Sequence, residues 1–179
     1  YQHPRQSIPT SFAAFVDTLE EWESELLQHV TFATNIYEFC KTIDKEATIM
    51  TSDGSAPNFV GTFGWSCSTT SGKRLATNKG PARGHRTTSY RAEAVGFFSY
   101  LLLIIRACEY TGYPLPHLAG LHSDSESMIA TTIKMMAFPF YFPSLTLSPD
   151  WDIFQAICTK LKLFPDNPHI EHVTGHQDK

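Results

Sequence analysis

The sequence predicts an α/β domain: a five-stranded mixed sheet in the order 3-2-1-4-5, flanked by helices and preceded by a helical extension. Three observations lead there. Phe63, Trp65 and Cys67 alternate within Val60–Thr69, ahead of a Ser71-Gly72 turn, the pattern of a strand entering a hairpin. Ser89 to Tyr110 is a long, mostly apolar stretch that ends at Thr111-Gly112 and Pro114, as a buried helix would. Beyond it, short apolar strands alternate with helical patterns, which is how parallel strands are joined.

In chain order, residues 1–10 read as a linker, and Thr10 or Ser11 can cap a helix. Phe12, Phe15, Val16, Leu19, Trp22, Leu26, Leu27 and Val30 recur at three- and four-residue spacing, so one amphipathic helix is expected from Ser11 to about Val30. A weaker helical piece covers Ile36 to Ile43, completing an extension over residues 1–46. Its apolar stripe must be buried, on the following domain or on another partner. The domain proper spans 47–179. Strand one covers 47–52, and Asp53-Gly54-Ser55 supplies a turn. Strand two is Val60–Thr69 and strand three Arg74–Asn78, followed by a loop from Gly80 to Thr88. After the long helix, Leu118–Ser123 forms strand four. Ser123 and Glu126 fit a capping box for a helix reaching about Ala137. Pro139 and Pro143 mark a loop, Ser148-Pro149 opens a helix over Asp150–Leu163, and Ile170–Thr174 forms strand five.

With right-handed crossovers, strands one, four and five run parallel and the long helix starts at their carboxyl ends. Asp53, Glu93 and Asp124 then meet at one end of the sheet, where His176 and Asp178 also fall. Ligand crevices of open α/β sheets lie there. Taken singly, Asp53 reads as a turn residue, Asp124 as a helix cap and Glu93 as a first-turn acid. Convergence changes that reading. Carboxylates brought together without basic partners repel one another, and hard divalent cations such as Mg²⁺ or Mn²⁺ relieve the repulsion.

Composition narrows the class. The chain has 179 residues, 42% hydrophobic and 18% charged, which suits a globular domain and not a disordered one. Its four cysteines (Cys40, Cys67, Cys108, Cys158) contain no C-x-x-C pair, so neither a zinc site nor a disulfide framework is signalled and an intracellular, reducing compartment is expected. His169 and His172 lie on opposite faces of a strand and read as surface residues. The longest apolar run, Ala94–Ile105, has twelve residues, short of the roughly 18 that span a bilayer. The net charge of −4 hides an asymmetry. From Gly54 to Ala92 there is no acid, while Lys73, Arg74, Lys79, Arg83, Arg86 and Arg91 give +6. Basic segments flanked by isolated carboxylates suit a protein that grips phosphates and binds metal cations. The chain begins at Tyr1 and ends at Gln177-Asp178-Lys179, so it is expected to be a piece of a longer polypeptide.

Five blocks carry a family resemblance: Thr51-Ser52-Asp53-Gly54-Ser55, Gly61-Thr62-Phe63-Gly64-Trp65, Ser89-Tyr90-Arg91-Ala92-Glu93-Ala94, His122-Ser123-Asp124-Ser125-Glu126-Ser127 and Val173-Thr174-Gly175-His176. In order and spacing they resemble the ribonuclease H family, most closely ribonuclease H-like domains of retrotransposon polyproteins. The resemblance implies a ribonuclease H-like fold and a nuclease that cuts the RNA strand of RNA–DNA hybrids with two metal ions, typically ~3.5–4 Å apart. It implies Asp53, Glu93 and Asp124 as metal ligands and His176 as a catalytic residue on a loop. Nucleic-acid contacts would fall on Gly54, Ser55, Ser89, Tyr90, Arg91 and Ser125. It also implies an upstream polymerase domain in the same polypeptide. The family usually has a fourth carboxylate on a helix beyond the His; here either Asp178 replaces it or it lies past Lys179, and the latter is expected. Two Asn side chains that commonly precede R-A-E are Ser89 and Tyr90 here. Two other readings remain open: a non-cutting brace of the same fold, and a DNA-acting transposase, integrase or resolvase.

Overall fold

The computed structural model describes residues 9–118, 120–137, 149–166 and 168–174. It is a mixed α/β fold. The elements are α1 (Phe12–Val16), α2 (Glu21–Leu27), β1 (Thr31–Phe32), α3 (Ile36–Lys45), β2 (Thr48–Ser55), β3 (Gly61–Thr69), β4 (Arg74–Ala82), α4 (Ser89–Thr111), β5 (Leu121–Ser123), α5 (Glu126–Met136), α6 (Trp151–Leu161) and β6 (Ile170–His172). They build one six-stranded sheet, ordered β1-β4-β3-β2-β5-β6. The expected order 3-2-1-4-5 survives intact as β4-β3-β2-β5-β6. β5 runs parallel to β2 and β6 parallel to β5, while β2, β3 and β4 form an antiparallel meander.

The sixth strand is a correction. β1 adds antiparallel to the outer edge of β4, pairing Thr31 with Thr77 and Phe32 with Ala76. Two residues are too few to show alternation, and their pairing is with a segment far along the chain.

α4 organises the core. From Ala92 to Ile104 every side chain except Glu93 is buried, so this helix is apolar nearly all round. It packs across β2, β3 and β4 on one side and against α2, α3 and α6 on the others. Gly112, at φ 77°, ends it in the left-handed conformation that glycine adopts without a Cβ penalty. A buried polar network locks α4 in register. The Ser99 hydroxyl accepts from Trp65 Nε1 (3.2 Å) and Asn78 Nδ2 (2.9 Å) and donates to the Leu26 carbonyl (3.0 Å). Asn78 Nδ2 also donates to that carbonyl, at 2.7 Å. These buried polar groups partner one another, which makes the network rigid and not costly.

The N-terminal extension does not form one helix. Thr18 Oγ1 donates to the Phe15 carbonyl at 2.7 Å and the Leu19 amide closes a three-residue turn onto Val16, so α1 stops at Val16 and α2 starts afresh at Glu21. A local side-chain bond has out-competed helix continuation. The apolar stripe nonetheless packs on this same domain. Val16 and Leu27 are buried, Leu19 is half-buried, and Trp22 stacks on Phe98 with ring centroids 6.1 Å apart. Glu23, almost wholly buried, is held by a two-pronged pair with Arg106 of α4, at 2.6 and 2.8 Å.

Other boundaries also moved. Asp53-Gly54-Ser55 is strand, not turn: Asp53 pairs with Gly64, Gly54 with Phe63 and Ser55 with Thr62. The β2–β3 reversal comes later, at Pro57–Phe59. β4 continues through Gly80-Pro81-Ala82. Pro81 is tolerated because β1 covers only the Ala76–Thr77 part of that outer edge. The N-cap of α5 is Ser125, not a Ser123–Glu126 box, and Asp124 is committed elsewhere. β5 and β6 are shorter than expected, three residues each. All four cysteines are buried free thiols, and among the described residues no helix is long and apolar enough to cross a membrane.

Candidate active site

Asp53 lies near the end of β2 and is exposed, on the sheet face opposite Gly54. Gly54 faces the start of α4 at very close range. A Cβ there would stand 2.5 Å from the Ser89 carbonyl oxygen and 2.7 Å from the Glu93 amide nitrogen. The glycine is thus needed for close approach, which a turn signal in the sequence disguised. That approach puts Glu93, in the second turn of α4, beside the Asp53 strand. Gly54→Ala is expected to force the two elements apart, lowering stability by about 1–3 kcal/mol and reducing any catalysis in parallel. An unchanged denaturation midpoint would mean that the contact yields freely.

Asp124 follows β5, which pairs Ser123 with Met50 of β2. The Ser52 amide donates to Asp124 Oδ1 at 3.1 Å, tying this acid to the residue next to Asp53. The neighbouring Ser125 hydroxyl donates to Glu93 Oε2 at 2.8 Å. Two hydrogen bonds and one backbone contact therefore tie Glu93 and Asp124 to the end of β2, while the Asp53 side chain lies on the sheet face opposite Gly54 and α4. Glu93 and Asp124 are half-buried, and none of the three carboxylates has a cationic partner among the described residues.

The carboxylates are nevertheless not gathered into a ready metal-holding group. Among the described residues no three His, Cys, Asp or Glu side chains are placed to bind one ion. Glu93 and Asp124 are turned onto Ser125 and the Ser52 amide instead. His176 and Asp178 lie outside the described residues.

Several residues expected to face nucleic acid are occupied otherwise. Arg91 is largely buried and its guanidinium bridges to α6, reaching Asp150 at 3.2 Å and Asp152 at 2.7 and 2.8 Å. This pairing raises the Arg91 pKa and holds the Asp152 carboxyl below its ordinary value. The Tyr90 hydroxyl hydrogen-bonds Thr131 Oγ1 at 2.8 Å and its ring packs on Phe154. Ser55 and Ser89 remain exposed. Of the basic stretch, Lys73 pairs with Glu38 and Arg83 with Glu25, while Arg74, Lys79 and Arg86 are exposed with no ion pair among the described residues. His122 is half-buried beside Glu171, at 3.7 Å, and His169 and His172 are exposed.

Lys79 was hidden within that basic stretch. It pairs with Gly64, which in turn pairs with Asp53, so acid and lysine share one row across three strands. Only pairing register could reveal this.

No protein-family model and no curated protein matches the chain. Among solved structures it is similar to a ribonuclease H1 isolated from compost by a metagenomic approach, with 17% identity, 74% of this chain and 88% of that one covered, and a TM-score of 0.48. The same compost enzyme in complex with an RNA/DNA hybrid gives 15% identity, coverage of 73% and 88%, and a TM-score of 0.47. A ribonuclease H1 from the halophilic archaeon Halobacterium salinarum gives 18% identity, coverage of 72% and 86%, and a TM-score of 0.44.

Proposed function

We propose that this chain hydrolyses the RNA strand of RNA–DNA hybrids with the help of divalent metal ions bound by Asp53, Glu93 and Asp124. The observation that supports the reading is that Glu93 and Asp124 are both tied to the end of β2 that carries Asp53: Asp124 to the Ser52 amide, Ser125 to Glu93, and Gly54 against the α4 start, with no cation paired to any of the three acids among the described residues. A donor set of carboxylate oxygens suits Mg²⁺ or Mn²⁺. Such ions, when bound, supply the Lewis acidity and the activated water that phosphodiester hydrolysis needs.

The protein's own part is to position the acids. A carboxylate has about four acceptor sites, so Glu93 and Asp124 either keep their contacts with Ser125 and the Ser52 amide while coordinating an ion or exchange them for it. Each such bond to a charged group contributes roughly 1.5–3 kcal/mol, which attraction to a divalent cation at short range exceeds even at an effective dielectric near 20. Lys79, Arg74 and Arg86 are the exposed cations of the basic stretch left to meet phosphates. Selectivity for the RNA strand would rest on 2′-hydroxyl contacts and groove shape.

The ungathered carboxylates favour a second reading, a brace of the same fold that does not cut. One experiment separates them. The purified chain is incubated with RNA–DNA hybrid, double-stranded RNA or double-stranded DNA, with Mg²⁺, Mn²⁺ or EDTA. Cleavage confined to the RNA of the hybrid and abolished by EDTA is expected. Cleavage of double-stranded DNA would point to a DNA-acting enzyme, and no cleavage of any substrate would leave the brace.

A further inference from the structure

Beside the acids, two loops present an unusual pair of side chains. The β2–β3 reversal carries Asn58 at φ 53° and Phe59 at φ 63°, and the β4–α4 loop carries Arg86 at φ 56°. Left-handed backbone is uncommon for residues other than glycine, and for a bulky side chain such as Phe it is an outlier. Residues held this way cluster at binding sites. Here the strained backbone holds apolar side chains out toward solvent. Phe59 is 57% exposed and its neighbour Val60 67%. The Arg86 guanidinium lies over the Phe59 ring, 5.5 Å from its centroid.

The pair rests on a firm base. Gly61 abuts Thr87 so closely that a Cβ would run into it, and Thr87 Oγ1 lies within hydrogen-bonding reach of the Ala82 (3.2 Å) and Gly84 (3.3 Å) carbonyls. The first residue of β3 thus packs directly on Thr87, the neighbour of Arg86, and Thr87 is in turn held within its own loop. Both loops open at the end of the sheet that holds Asp53 and the start of α4.

We propose that Phe59 and Arg86 form a stacking platform for an unpaired base of a nucleic-acid strand entering the acid site, so that the preferred substrate is a hybrid flanked by a single-stranded segment. Aromatic rings and guanidinium planes both take up splayed bases, whereas a base inside a duplex is already stacked and offers no free face. Arg86, exposed and without an ion pair among the described residues, also supplies charge complementary to the adjoining phosphate. The inference rests on the proposed nuclease reading, because it takes its ligand from it.

The test measures binding in EDTA, so that no strand is cut, by fluorescence anisotropy of a blunt RNA–DNA hybrid and of the same hybrid with a short single-stranded tail. 2-Aminopurine in the tail reports stacking through quenching. The tailed hybrid is expected to bind about tenfold more tightly than the blunt one, with quenching. Phe59→Ala is expected to remove both the advantage and the quenching, Phe59→Trp to keep them, and Arg86→Ala to weaken them. Equal binding of the two hybrids by the unaltered chain, or unchanged quenching in Phe59→Ala, would overturn the platform while leaving the nuclease reading in place. Absence of binding to either hybrid would also overturn the platform, while the nuclease reading stands or falls on cleavage in Mg²⁺ or Mn²⁺.

Discussion

Replacing Asp124 by Asn is expected to abolish metal-dependent cleavage while leaving the fold intact. The side-chain carbonyl of Asn still accepts from the Ser52 amide that now meets Asp124 Oδ1 at 3.1 Å, so the link to β2 is retained. The negative charge is not. Losing a metal ligand removes several kcal/mol of charge stabilisation, and about 4 kcal/mol corresponds to roughly 10³-fold in rate. Single-turnover cleavage of a labelled hybrid in Mg²⁺, paired with a thermal melt of the same preparation, reads both effects. Cleavage within a few-fold of the unaltered chain would remove Asp124 from the site. Collapse of the melting transition would instead assign it a structural role.

Deleting residues 1–45 is expected to leave a chain with no cooperative unfolding transition. This segment buries Val16, Leu27, Phe39 and Ile43 to within 2% of complete. At about 1.5–3 kcal/mol for each, their loss approaches the roughly 5–15 kcal/mol by which a whole domain is stable. The deletion also takes Glu23 from Arg106 and the Leu26 carbonyl from Asn78 and Ser99, stranding polar groups in the interior. Leu27→Ala makes the same point without truncation and should lower stability by about 2–5 kcal/mol, read from a denaturant midpoint. A deletion variant that melts at an unchanged temperature would contradict the packing described for α1, α2 and α3.

Much of this architecture follows from local pattern. Alternation at Phe63, Trp65 and Cys67, the apolar length of Ser89–Thr111, and the helix–strand–helix–strand order after it led to the strand order 3-2-1-4-5. Each is a periodicity that a short stretch of chain displays by itself, and right-handed crossovers leave few ways to join the pieces. The same reasoning put Asp53, Glu93 and Asp124 toward one end of the sheet, because strand order and direction determine at which end each connection falls.

What the sequence could not determine was anything decided between distant segments. Asp53-Gly54-Ser55 reads locally as a turn; only the α4 backbone, 2.5 Å from where a Gly54 Cβ would stand, shows why the glycine is in a strand. β1 exists only because β4 offers it an edge. A run of six basic residues reads as a uniform phosphate-gripping surface, yet Arg91 is spent on α6 and Arg83 on α2, partners far along the chain. The orientation of the carboxylates, Glu93 on Ser125 and Asp124 on the Ser52 amide, is likewise a tertiary fact. Local pattern sets the type and order of the main elements, since those depend on neighbours in sequence; where an element ends and which charge finds which partner depend on neighbours in space, and these only the folded chain supplies.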